Sequence, residues 1–226
     1  LFRSTSLTAD DEVTITLGAN LDGSDVVFDM NIDIWAAAGD AEIGDHHPGA
    51  LAAQGLAAVY VTITSLDARL ARALEPRAAA PHRRLRILRT LADAGIPVGV
   101  SVAPQIPFIT EDMEQVLAAA HDAGASSAFY TVIRLPWELD ALFREWLALH
   151  YPDRAARVMA RMHDLRGGKD YDASFATRRS GQGIWADLIA QRFDKACRRL
   201  GLNRQRRDWN VQDFRPPSPT GQMGLF

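Results

Sequence analysis

The sequence predicts an α/β protein in which parallel strands alternate with helices. Three short apolar segments, residues 58–64, 98–103 and 128–134, are separated by segments with a helical spacing of apolar residues. Strand–helix repeats of this length favour parallel strands joined by right-handed crossovers. Three strands are too few to close a barrel, so we expect them to form part of something larger.

The first 49 residues differ in composition from the rest of the chain. Residues 12–17 and 26–35 alternate apolar and polar side chains, which predicts a β-hairpin followed by a loop. Residues 1–50 hold ten acidic residues and one basic residue, whereas residues 151–226 carry a formal charge of +7. This break fits a truncated or mis-joined gene, or a replacement domain.

Residues 50–136 carry the strand–helix repeats. The helix predicted over 81–95 turns Leu85, Leu88 and Leu91 inward and ends at Gly95. The helix predicted over 110–124 begins at Thr110, a residue type that favours helix N-caps. Residues 137–202 are predicted to be a helical extension, with helices near 137–150, 153–166 and 183–200. Residues 203–226, with clustered arginines and three prolines, predict a flexible tail.

Small and hydroxyl-bearing residues stand where the three predicted strands end. In parallel α/β proteins, ligands bind at the carboxyl ends of strands. That rule selects eight positions, of which Thr62 and Ser101 are otherwise ordinary strand residues. They are Thr62, Thr64, Ser65, Ser101, Ala103, Pro104, Arg134 and Pro136. A strand that ends in Ala103-Pro104, where a packed core would favour bulk, leaves room for a flat ligand.

Residues 51–226 resemble the spore photoproduct lyase-like radical SAM proteins, often described as DNA-repair-photolyase-like. The resemblance lies in "VTIT", "LEPR…P…RL", "ADAGIPVGV" and the strand ending "VAP", followed by "RLPWELDALFREWLALHYPDRAARVMARMHDLRGGKDYD". It implies the C-terminal half of a partial (β/α) barrel, and S-adenosylmethionine and a 4Fe-4S cluster as cofactors. It also implies that Thr62 touches the ribose or methionine part of the cofactor. Ala103, with Ser101, would lie against the adenosine. Thr64 and Arg134 are the other two positions that we predict to bind the cofactor.

The chain departs from this family at the cluster. The family binds its cluster through C-x-x-x-C-x-x-C, whereas this sequence has one cysteine, Cys197, which we expect in the core. Radical chemistry, with a nucleic-acid lesion as the suggested substrate, is therefore not expected from this chain alone. His46 and His47 are adjacent on a predicted loop, and neighbouring residues rarely point at one ion, so we predict no metal site.

Two charged residues leave alternatives open. Glu75 either forms a structural ion pair with Arg77 or bonds the cofactor. Arg134 either binds a carboxylate or phosphate through its forked donors, or pairs with Asp140 or Glu138.

The sequence shows no apolar run of about 20 residues and no visible signal peptide. We therefore predict a cytoplasmic protein without a membrane span. The single cysteine excludes a disulfide within these 226 residues.

The tail supports a different class of function, a non-catalytic adaptor. "QMGLF" resembles the peptide by which bacterial repair and replication proteins bind the sliding clamp, with Gln222, Leu225 and Phe226 as the contacts. A second expectation is nucleic-acid binding by the basic residues at 198–207 with Trp209. A solvated helix end explains the same arginines.

Deletion of residues 222–226 tests the adaptor. We expect the deletion to abolish capture of the chain by immobilised sliding clamp, because the apolar anchors are lost. Unchanged capture would remove the main support for an adaptor.

Overall fold

The computed structural model describes residues 33–36, 52–53, 57–169, 174 and 177–205. The strands are β1 (Asp33–Ala36), β2 (Ala57–Thr62), β3 (Val98–Gln105) and β4 (Ser127–Val132). The helices are α1 (Ala68–Leu74), α2 (Pro81–Asp93), α3 (Met113–Asp122), α4 (Leu139–His150), α5 (Pro152–Leu165) and α6 (Ile184–Leu200). No helix within these ranges is long and apolar enough to cross a membrane.

The strands form one open sheet in the order β1-β2-β3-β4. β2, β3 and β4 are parallel, with Val59 opposite Val98 and Val100 opposite Ala128. β1 runs antiparallel to β2, with Asp33 opposite Tyr60. The three parallel strands of the sequence prediction are therefore present, and a fourth, antiparallel strand borders them.

The prediction of a partial barrel is wrong. A (β/α) barrel consists of parallel strands, tilted and staggered so that the sheet curves back on itself. Instead, β1 occupies the outer edge of β2 in the antiparallel direction, and β4 is the opposite edge of the sheet within the described residues. Hence the described part of the chain has an open, mixed sheet with helices, and the segment containing β1 extends the sheet without closing it.

One face of the sheet packs against helices. Alternate residues of β2 and β3, including Val61, Val100 and Val102, are fully buried on this face. They form one apolar core with α2, α3 and α6, to which α3 adds Val116 and Leu117. A second apolar cluster joins α1, α4 and α5 to the residues that follow β3 and β4. The second cluster thus packs the loops that follow β3 and β4, at the carboxyl ends of these strands, against helices.

Gly99 permits close packing on the other face of the sheet. A Cβ atom at this position would lie 2.3 Å from the Tyr60 ring and 2.6 Å from the Ser127 hydroxyl. The Tyr60 ring lies 5.4 Å from the Phe129 ring, and Ser127 donates a hydrogen bond to the Tyr60 hydroxyl at 2.9 Å. The glycine of "VGVSVA" thus makes room for an aromatic layer at the amino-terminal half of this face.

Several helix boundaries differ from the sequence prediction. α1 was not predicted, although Asp67 caps it by accepting hydrogen bonds from the backbone N–H groups of Arg69 and Leu70. α3 begins at Met113 and not at Thr110. The Thr110 hydroxyl instead accepts a hydrogen bond from the Ile106 N–H at 2.7 Å, which closes the preceding loop. The predicted hairpin lies outside the described residues except for β1.

Candidate functional site

The carboxyl ends of the three parallel strands line one cavity of about 440 Å³. We call it the strand-end cavity. Its walls come from the strand ends, from the residues that follow β4, from Glu75 after α1 and from Arg179 before α6. The lining residues are Thr62, Glu75, Ser101, Ala103, Pro104, Phe129, Thr131, Val132, Ile133, Arg134, Pro136, Leu139 and Arg179. This volume is within the range of small-molecule sites, about 300–1,000 Å³.

Alternation along the strands places the cavity on the face of the sheet opposite the helix-packed core. Val61 and Val102 are buried in that core, so Thr62, Ser101 and Ala103 point to the other side. The same period brings Phe129 and Thr131 of β4 beside them. Hydroxyl groups and small side chains therefore line the cavity, with one aromatic ring.

Four of the five predicted cofactor-binding residues line the strand-end cavity: Thr62, Ser101, Ala103 and Arg134. The fifth, Thr64, lies beneath it. Thr64 is 2% exposed, and its hydroxyl lies 2.8 Å from the Ala103 carbonyl oxygen and 3.2 Å from Glu75 Oε2. β2 ends at Thr62, so the alternation of a strand does not continue to Thr64. Thr64 therefore connects two strand ends from within the protein.

Ser65 is also structural. It is 1% exposed, and its hydroxyl donates to Asp112 Oδ2 at 2.9 Å. The same carboxylate oxygen accepts the Leu66 N–H at 2.7 Å. The loop after β2 is thereby fixed to the start of α3, which gives one wall of the site a defined position.

Glu75 belongs to a buried ion pair, but with a partner that the sequence did not predict. Arg84 of α2, and not Arg77, donates to Glu75 Oε2 at 2.9 Å. Arg84 also donates to the carbonyl oxygens of Ala79 and Thr62, each at 2.8 Å. The guanidinium therefore holds the Glu75 carboxylate next to the end of β2. Because Glu75 also lines the cavity, the two alternatives for this residue are compatible.

Two arginines contribute positive charge on the β4 side. Arg134 follows β4, is half-buried and lines the cavity. Asp140, one of its predicted partners, forms an ion pair with Arg144 at 2.7 Å. Arg179 is exposed and reaches the cavity from the segment before α6, where its carbonyl oxygen accepts the Val132 N–H at 2.8 Å.

Sequence reasoning missed Phe129, Thr131 and Arg179. The first two had a signal, because successive side chains of a strand point to opposite faces, so Ser127, Phe129 and Thr131 share one face of β4. Arg179 had none, since its place in the wall depends on a backbone hydrogen bond to a strand 47 residues earlier in the chain.

Cys197 lies in the core, as predicted. It is 5% exposed within α6 and packs in the main apolar cluster. Burial, with a smaller contribution from Asp194, raises the pKa of its thiol to about 11. Metal ligation requires the thiolate, so this environment opposes a role in cluster binding. Within the described residues, no group of three His, Cys, Asp or Glu side chains is arranged to hold a metal ion.

Several predicted binding residues lie outside the described ranges. These are the clamp-binding candidates Gln222, Leu225 and Phe226, and part of the basic stretch with Trp209. His46 and His47, where no metal site is predicted, lie outside these ranges as well. Arg198, Arg199 and Arg204 are described and exposed at or beyond the last turn of α6. Clamp binding and nucleic-acid binding therefore stay predictions.

Comparison with known proteins finds a partial match to a viral protein. No protein-family model and no solved structure matches the chain. A 77-residue segment is 36% identical to "Uncharacterized protein ORF301" of Acidianus two-tailed virus. The match covers 31% of this chain and 26% of the viral protein, so the chain spans about a quarter of that relative. The printed name of the viral protein states no activity, and the resemblance to radical SAM proteins stays a prediction.

Proposed function

We propose that this chain binds S-adenosylmethionine in the strand-end cavity, as a member of the spore photoproduct lyase-like radical SAM group. One observation carries the proposal. Four residues chosen from the sequence as cofactor contacts, from three separate strand ends, line a single cavity of suitable volume. The one cysteine within these 226 residues supports a reducing, cytoplasmic location as part of the same proposal.

The chemistry of the walls suits a nucleoside that carries an amino acid. Ser101 and Ala103 are small, so a flat ring system can approach β3 closely, and Phe129 offers an apolar surface beside it. Arg134 and Arg179 place guanidinium groups at the β4 side, where a carboxylate would receive forked hydrogen bonds. Thr62 supplies a hydroxyl group on the opposite side.

The residues of this chain do not fit the iron–sulfur cluster. Four-iron clusters of this family need three cysteine thiolates, and the chain has one cysteine, which is buried and holds its proton. No radical step is therefore assigned to these residues. Their contribution is to bind and orient the nucleoside and the carboxylate of the ligand.

Isothermal titration of S-adenosylmethionine into the full chain tests the proposal. We expect binding to the wild type, and Ala103→Leu to weaken it at least tenfold because the added carbons occupy the space of the ring system. Ala94→Leu is the matched control, because Ala94 is exposed after α2, at the amino-terminal side of β3.

Equal affinities for the wild type and the Ala103→Leu variant would contradict the proposal. The proposal would also be contradicted if S-adenosylmethionine gave no heat of binding with a wild-type protein that circular dichroism shows to be folded. The Ala94→Leu chain should bind S-adenosylmethionine as tightly as the wild type. This result would show that Ala103→Leu weakens binding by filling the cavity, and not because a larger side chain has been added to the protein.

A further inference from the structure

A second, smaller pocket lies on a different surface of the protein. It has a volume of about 70 Å³ and lies between the loop after β3 and the first turns of α6. We call it the loop–helix pocket. Its walls are mainly apolar and aromatic and include Ile106, Phe108, Trp185 and Ile189. The described residues that line it are distinct from those of the strand-end cavity, so the two sites are separate.

Gln105, the last residue of β3, presents a buried amide to this pocket. The residue is 3% exposed, and it is one of the lining residues. Its Nε2 donates to the Val102 carbonyl oxygen at 3.1 Å, and the described residues supply no further hydrogen bond to this side chain. A carboxamide can donate two hydrogen bonds and accept others at its oxygen. Because a buried polar atom without a partner costs free energy, the amide favours an occupant with a polar group.

Two aromatic rings at the rim of the pocket lie between two guanidinium groups. The Phe108 and Trp185 rings are arranged edge to face, with their centres 5.7 Å apart. The Arg157 guanidinium lies 4.2 Å from the centre of the Phe108 ring, and the Arg161 guanidinium lies 4.8 Å from the centre of the Trp185 ring. We call these four residues the arginine–aromatic stack. Arginine and aromatic residues are enriched where proteins bind each other.

The loop after β3 holds Phe108 in an unusual backbone conformation. Its φ of +64° lies in the left-handed region, which bulky residues rarely adopt. Arg154 donates to the Phe108 carbonyl oxygen at 2.8 Å, and the bond from the Ile106 N–H to the Thr110 hydroxyl closes the same loop. Strained conformations persist where the surrounding structure fixes them, and they are concentrated at functional sites. The Phe108 ring therefore has a fixed position at the rim before a partner binds.

The cation on the α3 side of the pocket is neutralised. Arg192 donates two hydrogen bonds to the Glu114 carboxylate, each at 2.7 Å. Glu111, which also lines the pocket, adds a negative charge on this side. An acidic partner therefore gains no attraction here.

The α5 side of the pocket is positive. α5 carries three arginines, Arg154, Arg157 and Arg161, against two aspartates. Asp164 pairs with Arg161, whereas the described residues place no carboxylate within ion-pair distance of the exposed Arg154 and Arg157. These two are three positions apart, so they lie on the same side of the helix. Charge complementarity therefore favours an acidic partner along α5.

We infer that the loop–helix pocket and the arginine–aromatic stack bind an acidic peptide segment of another protein. One uncharged side chain of the peptide enters the pocket, and the acidic residues lie along α5. This anchor needs an apolar stem for the walls and a polar tip for Gln105, and glutamine has both. The pocket volume is several times the roughly 10–15 Å³ that holds one water molecule, which leaves room for such a side chain. Ile184, 85% exposed, and Leu188, 44% exposed, extend the apolar surface at the start of α6.

Fluorescence anisotropy with labelled model peptides tests the inference on the full wild-type chain. The probe peptide is Glu-Asp-Glu-Gln-Glu-Asp-Glu, and the comparison peptide has alanine in place of the glutamine. We expect the glutamine peptide to bind at least about tenfold more tightly, because alanine leaves the pocket unfilled and the Gln105 amide without its partner. A peptide with lysine at every acidic position should not bind measurably, because it is repelled by the arginines of α5.

Two variants locate the binding surface. Gln105→Leu keeps the pocket apolar but removes the amide, and the preference for the glutamine peptide should fall to about threefold or less. Trp185→Ala removes one ring of the stack and should weaken binding of the glutamine peptide at least about tenfold. The matched control is Trp137→Ala, because Trp137 is 86% exposed and lies outside the pocket. This control should bind the glutamine peptide as tightly as the wild type.

Equal binding of the glutamine and alanine peptides by the wild type would overturn the inference, and this comparison needs no mutation. A preference that survives in Gln105→Leu, shown by circular dichroism to be folded, would overturn it too. Unchanged binding by Trp185→Ala would reduce the effect to a general attraction between acidic peptides and arginines. If a folded wild-type chain binds neither peptide, the pocket holds water only and the inference is wrong.

The inference goes beyond the proposed function and does not rest on it. Titration with S-adenosylmethionine reports on the strand-end cavity, and the peptides report on the loop–helix pocket. Either result can therefore fail without the other.

Discussion

Replacement of Arg84 by methionine is expected to lower the free energy of unfolding by about 3–5 kcal/mol, the usual cost of leaving one member of a buried ion pair without its partner. Methionine is close in length but carries no donor. Glu75, 8% exposed, would then hold a buried charge with only Thr64 near it. The carbonyl oxygens of Thr62 and Ala79 would lose their donor at the same time. Urea unfolding followed by circular dichroism measures the change.

Two comparisons isolate the effect of burial. Arg144→Met removes an ion pair to Asp140 in which the arginine side chain is 45% exposed, and we expect a loss of less than about 1 kcal/mol. The double variant Glu75→Leu with Arg84→Met should recover most of the stability, because a neutral, well-packed pair can replace a buried ion pair at little cost. If Arg84→Met were as mild as Arg144→Met, the pair would not be holding the end of β2.

The parallel strands could be predicted closely from the sequence. The predicted segments 58–64, 98–103 and 128–134 differ from β2, β3 and β4 by two residues or fewer at each end. Strands whose residues pack on both sides read as continuous apolar runs, and the glycines after α2 and α3 mark where each helix stops. Local sequence patterns were sufficient to predict the parallel strands, because each strand and each intervening helix shows the spacing of apolar residues that is typical of its own secondary structure.

The edge of the sheet could not be predicted in the same way. Alternation within residues 26–35 indicates a strand but does not specify its partner or its direction. β1 pairs with the edge of β2 in the antiparallel direction. Pairing at an edge depends on which segment is available in space, which a local pattern does not contain.

The candidate site shows the same division between local and long-range information. The rule that ligands bind at strand carboxyl ends places Thr62, Ser101 and Ala103 correctly at one cavity. It fails for Thr64, because the chain has left the strand and turned beneath Ala103. It is silent on Arg84, which reaches Glu75 from the next helix, nine residues away.

Arg166 is a second buried cation, and no pattern in its sequence neighbourhood predicts its role. It follows α5, is 2% exposed and donates to three backbone carbonyl oxygens. One belongs to Ile133 after β4, and the others belong to Thr177 and Arg178, at 3.5 Å and 2.9 Å. The guanidinium thus joins the end of α5 to β4 and to the segment that carries Arg179.

Replacement of Arg166 by methionine is expected to cost about 3 kcal/mol of unfolding free energy, since a buried carbonyl group left without a donor costs about 1–3 kcal/mol. Affinity for S-adenosylmethionine should also fall, because Arg179 would be held to the sheet only by the bond from the Val132 N–H to its carbonyl oxygen. Urea unfolding and calorimetric titration measure the two effects.

The matched control is Arg157→Met, which removes an exposed guanidinium 4.2 Å from the centre of the Phe108 ring. We expect a loss of about 0.5–1 kcal/mol and no change in affinity. A stability loss in Arg166→Met without weaker binding would mean that the Val132 bond alone positions Arg179. A loss below about 1 kcal/mol would contradict the role of Arg166, because three buried carbonyl groups cannot lose one donor at so small a cost.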